Sequence, residues 1–215
     1  MKNLLFSAVI VAHGVVACPV AKAAAVQTQT ASALVQSLDG EWLLATDPGN
    51  EGRGQQWFKA PRPNAVPAKV PWIIQESFPG YHGVAWYWRD FVTPANSHPG
   101  GRFLLRFWAV DFSAEVWLNG VLVGGHEGGE TPFILDVTDA LRANGTNRLS
   151  VRVLNPTLQP IDGLVLSQTP HQARVIPYRA GSAYNCGGLP SRSNCCRRRP
   201  CASKIFMRPR TRKAA

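Results

Sequence analysis

Alternation of apolar and polar positions is strongest between residues 102 and 133. Phe103, Leu105 and Phe107 recur at every second position, with Leu104 and Arg106 between them. A period of two lines one face of an extended chain, so the spacing predicts a strand. Residues 115–118 and 121–123 form two further short runs on either side of Asn119-Gly120. That dipeptide tolerates positive φ at both central positions of a turn, which predicts a type I′ hairpin.

The same signal continues along the chain. Trp42 follows the turn pair Asp39-Gly40, and residues 83–91 (GVAWYWRDF) form an aromatic-rich run. Residues 134–137 read as a strand, residues 138–144 as a turn or one helical turn, and Asn144-Gly145 as a second turn. Leu149, Val151 and Val153 then alternate with Ser150 and Arg152 in another strand. Between residues 57 and 72 stand Pro61, Pro63, Pro67 and Pro71, which exclude a long helix or a central strand. After residue 25 no helical period of useful length is present, and no internal repeat. Short strands at this spacing predict an all-β chain folded as an antiparallel β-sandwich or jelly roll.

Charge changes this picture only at the ends. The formal net charge is +10, yet residues 31–180 hold 12 Lys and Arg against 13 Asp and Glu. Residues 181–215 add nine basic residues and no acidic one. A basic tail is a feature of nucleic-acid and anionic-surface arms. This one has no aromatic interleaving beyond Phe206, and no nucleic acid is expected as a partner. At the other end, Lys2, the apolar run 4–16 and Ala21-Lys22-Ala23 have the form of a signal peptide with a small-residue cleavage site. Residues 1–25 are expected to be that signal and residues 26–37 a linker, so the chain is expected to be exported, to the periplasm or the extracellular space. Val15-Val16-Ala17-Cys18 also has the form of a lipobox, which would make Cys18 a lipid anchor. Cys195, Cys196 and Cys201 lack the paired spacing of a zinc site, and neither a metal nor a cofactor is expected.

Several of these segments together carry a resemblance. Leu38-Asp39-Gly40-Glu41-Trp42, Val70-Pro71, the run G-x-A-W-Y-x-R-x-F from Gly83, RFLLRF, AEVWLNG, VGGHEGG and DVTDAL resemble the N-terminal module of glycoside hydrolase family 2. That family includes β-galactosidases, β-glucuronidases and β-mannosidases. The resemblance implies a galactose-binding-domain-like sandwich over residues 38–189, the family's sugar-binding domain. In the family the catalytic glutamates lie on a (β/α)8 barrel that follows a second sandwich. Retaining hydrolysis needs two carboxyls about 5–5.5 Å apart, and no family catalytic residue has a counterpart here. The resemblance thus implies a fragment inactive alone, whose β-linked carbohydrate substrate belongs to the parent enzyme. A free-standing carbohydrate-binding module, or a surface-interaction domain with a basic tail, are the competing readings.

Residues 183–189 (AYNCGGL) resemble the family's entry to the last strand, from which relatives reach into the catalytic pocket. Tyr184 and Asn185 are therefore the candidate carbohydrate-binding residues, Tyr184 for stacking and Asn185 for a sugar hydroxyl. The family pattern then breaks at Leu189-Pro190 and resumes at residues 205–210. A back-translation of residues 192–204, shifted by two nucleotides, reads VELLPTQTVRVK, a plausible strand-turn-strand. Residues 190–215 are accordingly expected to be either an ordinary basic tail or a frame-shifted last strand, with poor order from Pro190 onward.

Other candidates weigh as structural. Glu127, Glu130 and His126 read as loop residues, and Asp136 and Asp139 as turn caps. Trp42, Trp86 or Trp88, and Trp117 are expected in strands with one buried face. Trp57 and Trp72, in proline-rich loops, are the better candidates for exposure.

Overall fold

The computed structural model describes residues 35–95, 100–169 and 185–189, and the backbone of residues 206–210. Its strands are β1 (Gln36–Ser37), β2 (Gly40–Asp47), β3 (Val66–Val70), β4 (Trp72–Ile73), β5 (Gly83–Val92), β6 (Arg102–Phe107), β7 (Ser113–Leu118), β8 (Val121–Glu127), β9 (Phe133–Asp136), β10 (Thr146–Asn155), β11 (Gly188–Leu189) and β12 (Phe206–Arg210). One helical turn, α1 (Ile74–Ser77), follows β4. A six-stranded sheet runs β3-β2-β5-β10-β7-β8, a four-stranded sheet β1-β12-β6-β9, and a two-stranded ladder pairs β11 with β4. Every pairing is antiparallel.

The inner faces of the two larger sheets supply the main core. Phe103, Leu105 and Phe107 of β6 pack with Ala85, Tyr87 and Phe91 of β5, Val116 and Leu118 of β7, and Leu149, Val151 and Val153 of β10. The alternation read from the sequence is this face. The hairpin turns where expected: Leu118 pairs with Val121, and Asn119 and Gly120 have φ of 54° and 84°. Asn119 pays little for its left-handed backbone because its side chain is fully used. Its Nδ2 donates to the Ala140 carbonyl and to Asn147 Oδ1, each at 2.8 Å, and its Oδ1 accepts from the Arg148 N–H at 3.0 Å. Pro67 lies on β3, an edge strand, where a missing donor is tolerated.

Two expectations about the tryptophans are corrected. The strands bearing tryptophan were expected to bury one face, but both faces of the central sheet are buried. Trp86, Trp88 and Trp117 form a second core on its outer side with Val84, Ala45 and Leu154. The segment after β2 roofs this core: Phe58 stacks on Trp117 with centroids 5.4 Å apart, and the Trp57 carbonyl accepts from Trp88 Nε1 at 2.8 Å. Trp57 is therefore a half-buried lid residue, whereas Trp72 is 37% exposed. Strand pairing begins at Gln36, inside the segment expected to be linker. Within the stretch expected to be poorly ordered from Pro190, Phe206–Arg210 form β12, which lies between β1 and β6. Residues 190–205, which hold most of the expected frame excursion, lie outside the described residues, as do residues 1–34 with the signal peptide and Cys18.

Candidate functional site

The segment 185–189 is held at one end of the sandwich by backbone hydrogen bonds on both sides. Ile74 N–H donates to the Gly187 carbonyl at 2.9 Å, and Gly188 exchanges two 2.9 Å bonds with Asp111. Gly188 and Leu189 pair with Ile73 and Trp72. The glycines are there because the approach is close. A Cβ on Gly187 would stand 2.3 Å from Asn155 Cβ, and one on Gly188 (φ 127°) would stand 2.8 Å from the Tyr87 hydroxyl.

This fit delivers Asn185 into a polar cluster drawn from four parts of the chain. Asn155, at the end of β10, donates from Nδ2 to Asn185 Oδ1 at 2.8 Å. Asn185 Nδ2 donates to the Pro156 carbonyl at 2.9 Å. Asn155 Oδ1 accepts from Gln75 Nε2 of α1 at 3.2 Å and lies 2.7 Å from His82 Nδ1. His82 Nδ1 also lies 3.2 Å from Asn185 Nδ2: protonated, it donates to Asn155 Oδ1, and unprotonated, it accepts from Asn185. Gln75 Nε2 also donates to the Tyr81 carbonyl at 2.7 Å, and the Tyr81 hydroxyl to the Val84 carbonyl at 2.6 Å. Burial pushes the Tyr81 hydroxyl up to about 12, so it is a neutral donor. Burial likewise pushes the Tyr87 hydroxyl up, against the opposing Leu189 backbone.

Of the two residues expected to bind carbohydrate, Asn185 is 8% exposed and bonded at both ends of its amide, with one Oδ1 lone pair left over. Tyr184 lies outside the described residues. Gln75, His82 and Asn155 were not singled out from the sequence. They stand up to 80 residues from one another, and no spacing rule links a helical turn, a loop and a strand end.

Carboxylates converge elsewhere, on the outer side of the central sheet. Arg152 of β10, its side chain 2% exposed, bonds Glu115 at 3.1 Å, and Asp162 at 2.5 Å. Arg53 bonds the same two carboxylates, reaching Asp162 at 2.9 Å and making its closest contact with Glu115. Burial pushes the Asp162 carboxyl up, but hydrogen bonds from Arg53 and Asn50 and the Arg152 charge outweigh it and hold the carboxyl below its ordinary value. A carboxyl in this state serves as an ion-pair partner, and a general acid needs the opposite shift. His126 and Glu127, expected in a loop, lie instead on β8, opposite Ala114 and Ser113 of β7. Asp136 accepts from the Thr138 N–H at 3.1 Å and from the Thr138 hydroxyl at 2.7 Å, and pairs with Arg102. His126 stacks on Phe133 and bonds the Thr131 hydroxyl at 2.7 Å. Among the described residues no group of three or more His, Cys, Asp or Glu side chains is placed to hold a metal.

Comparison with known proteins agrees with this architecture. The chain is 34% identical to a β-glucuronidase of Paenibacillus borealis over 126 residues, which is 56% of this chain and 21% of that protein. It is 31% identical to the β-glucuronidase of Rattus norvegicus over 146 residues, 61% of this chain and 22% of that protein. It thus spans about a fifth of the length of these relatives. The fold matches the crystal structure of Ruminococcus gnavus β-glucuronidase with a TM-score of 0.63 at 22% identity, over 85% of this chain and 30% of that one. Residues 70–180 match the family model described as glycosyl hydrolases family 2, sugar binding domain, and the chain belongs to that family.

Proposed function

We propose that this chain is the N-terminal sugar-binding module of an exported β-glucuronidase-type enzyme and does not hydrolyse glycosides by itself. The observation that carries this reading is that the relatives are β-glucuronidases of which the chain spans about a fifth. Among the described residues the carboxylates that meet, Glu115 and Asp162, are neutralised by two arginines. In the complete enzyme the segment before β11 would face the sugar. Asn155, Gln75 and His82 fix its base, Asn185 accepts a sugar hydroxyl with its remaining lone pair, and Tyr184 stacks on the ring.

The test is an assay of the purified chain with p-nitrophenyl β-glucuronide, β-galactoside and β-mannoside. No turnover above a mock purification is expected, and turnover that co-purifies with the chain through a second column overturns the reading. Export is tested by fusing residues 1–25 to alkaline phosphatase, which is active only after leaving the cytoplasm. Release of the fusion in soluble form supports cleavage, and retention in membranes that Cys18→Ser abolishes supports the lipid anchor.

A further inference from the structure

We infer that the groove between β3, β4 and α1 is a binding site for a single neutral hexopyranose, with Trp72 as its stacking platform. The groove is lined by Ala68, Lys69, Trp72, Ile73, Glu76 and Ser77, with Tyr87 beneath, and has a volume of about 240 Å³. Ligand pockets for drug-sized molecules start at about 300 Å³, so this one takes one ring and little more. Its composition selects the ligand. Trp72 keeps 37% of its surface in solvent although it lies on a paired strand, whereas Trp42, Trp86, Trp88 and Trp117 are each 6% exposed or less. An indole face left in water is a surface for an apolar face of matching size, and the axial C–H face of a pyranose is one. Lys69, Glu76 and Ser77 around it donate to and accept from ring hydroxyls. Lys69 and Glu76 sum to zero: a uronate is drawn to one and repelled by the other, and an amino sugar the reverse, so the groove has no net charge with which to favour either over the neutral sugar.

This site is distinct from the Asn185 cluster, and it stands whether or not the chain is part of a β-glucuronidase. The experiment uses the full chain. Methyl β-D-glucopyranoside, methyl β-D-galactopyranoside and methyl β-D-glucuronide are titrated while the indole N–H signals are followed by ¹H–¹⁵N NMR. The Trp72 signal is identified by its absence in Trp72→Phe. Saturation-transfer NMR from the ligand side reads the variants. The expected result is a saturable shift of the Trp72 signal with at least one neutral glycoside, and weaker binding of the glucuronide. Trp72→Ala should lose about tenfold in affinity, and Trp72→Phe should retain most of it. Glu76→Gln and Lys69→Ala, both at exposed positions, should weaken binding with unchanged melting temperature, which covers the case of a Trp72→Ala chain that does not fold. Tightest binding of the glucuronide, no shift at Trp72, or equal affinity in Trp72→Ala each overturns the proposal. Binding that survives Trp72→Ala but is lost in Asn185→Ala places the sugar at the other site, which overturns this inference and leaves the proposed function standing.

Discussion

At the scale of single residues, the ion-pair cluster on the outer sheet face shows how a near-neutral body spends its charges. Arg152 is almost fully buried and is balanced by Glu115 and Asp162, which Arg53 also holds. Removing a partner of a buried charge is strongly destabilising because it leaves that charge uncompensated, whereas an apolar side chain of similar volume in place of the buried charge leaves none behind. Glu115→Gln should therefore lower stability by about 1.5–3 kcal/mol, the range for hydrogen bonds to charged groups. Arg152→Met should cost less, because Arg53 still neutralises both carboxylates. Urea unfolding of the two variants checks the order, and a larger loss for Arg152→Met would contradict it. Acid should act through the same groups. Asp162 and Asp136 are held below their ordinary values in the fold, Asp136 by Arg102 and Thr138 against the opposing effect of burial. The unfolded chain thus takes up these protons first as pH falls. Their stabilising effect is complete at neutral pH and is lost below about pH 4 as pH drops through the folded-state values. The urea midpoint should fall between pH 6 and pH 3, and fall less steeply in Asp162→Asn. Equal slopes for the two proteins would remove Asp162 from the explanation.

Among the elements, the β7–β8 hairpin and the roof over the outer core hold the central sheet. Asn119→Ala loses three side-chain hydrogen bonds and forces a Cβ-bearing residue without them into the left-handed region. It should cost about 2–3 kcal/mol. Asn119→Gly relieves the backbone but restores no hydrogen bond, so it should recover only the smaller part; thermal melts of the pair separate the two contributions. The roof hangs on Asp47, 2% exposed, which accepts from the Glu51 and Gly52 N–H groups at 2.9 Å and from Trp86 Nε1 at 3.0 Å. Asp47→Ala leaves three donors without this partner. It should loosen the segment carrying Trp57 and Phe58, seen as a red shift of tryptophan emission and a loss of near-UV circular dichroism. An unchanged spectrum would mean that stacking alone holds the roof.

For the whole molecule, the placement of β12 between β1 and β6 makes the last strand structural. Deleting residues 206–215 should expose a strand edge on each neighbour and cause aggregation, measured by light scattering at constant concentration. Replacing residues 192–204 by VELLPTQTVRVK, with Pro190→Trp, should raise the melting temperature if that stretch is a frame-shifted strand; an equal or lower value favours the ordinary basic tail. The sequence by itself determined the all-β class, the position and type of the hairpin, and the exclusion of a central strand from the proline-bearing segment. It also determined the inner core face of β6 and β10, because each rests on a local rule: a period of two, a dipeptide with positive φ, or a missing N–H donor. Only the tertiary structure decided that the central sheet buries its second face, since Trp86, Trp88 and Trp117 are covered by a loop whose composition reads as solvent-exposed. The same holds for the cluster that pins Asn185. Its members are brought together by sheet order and by the close approach of Gly187 to Asn155, and no periodicity along the chain encodes a contact between residues that far apart.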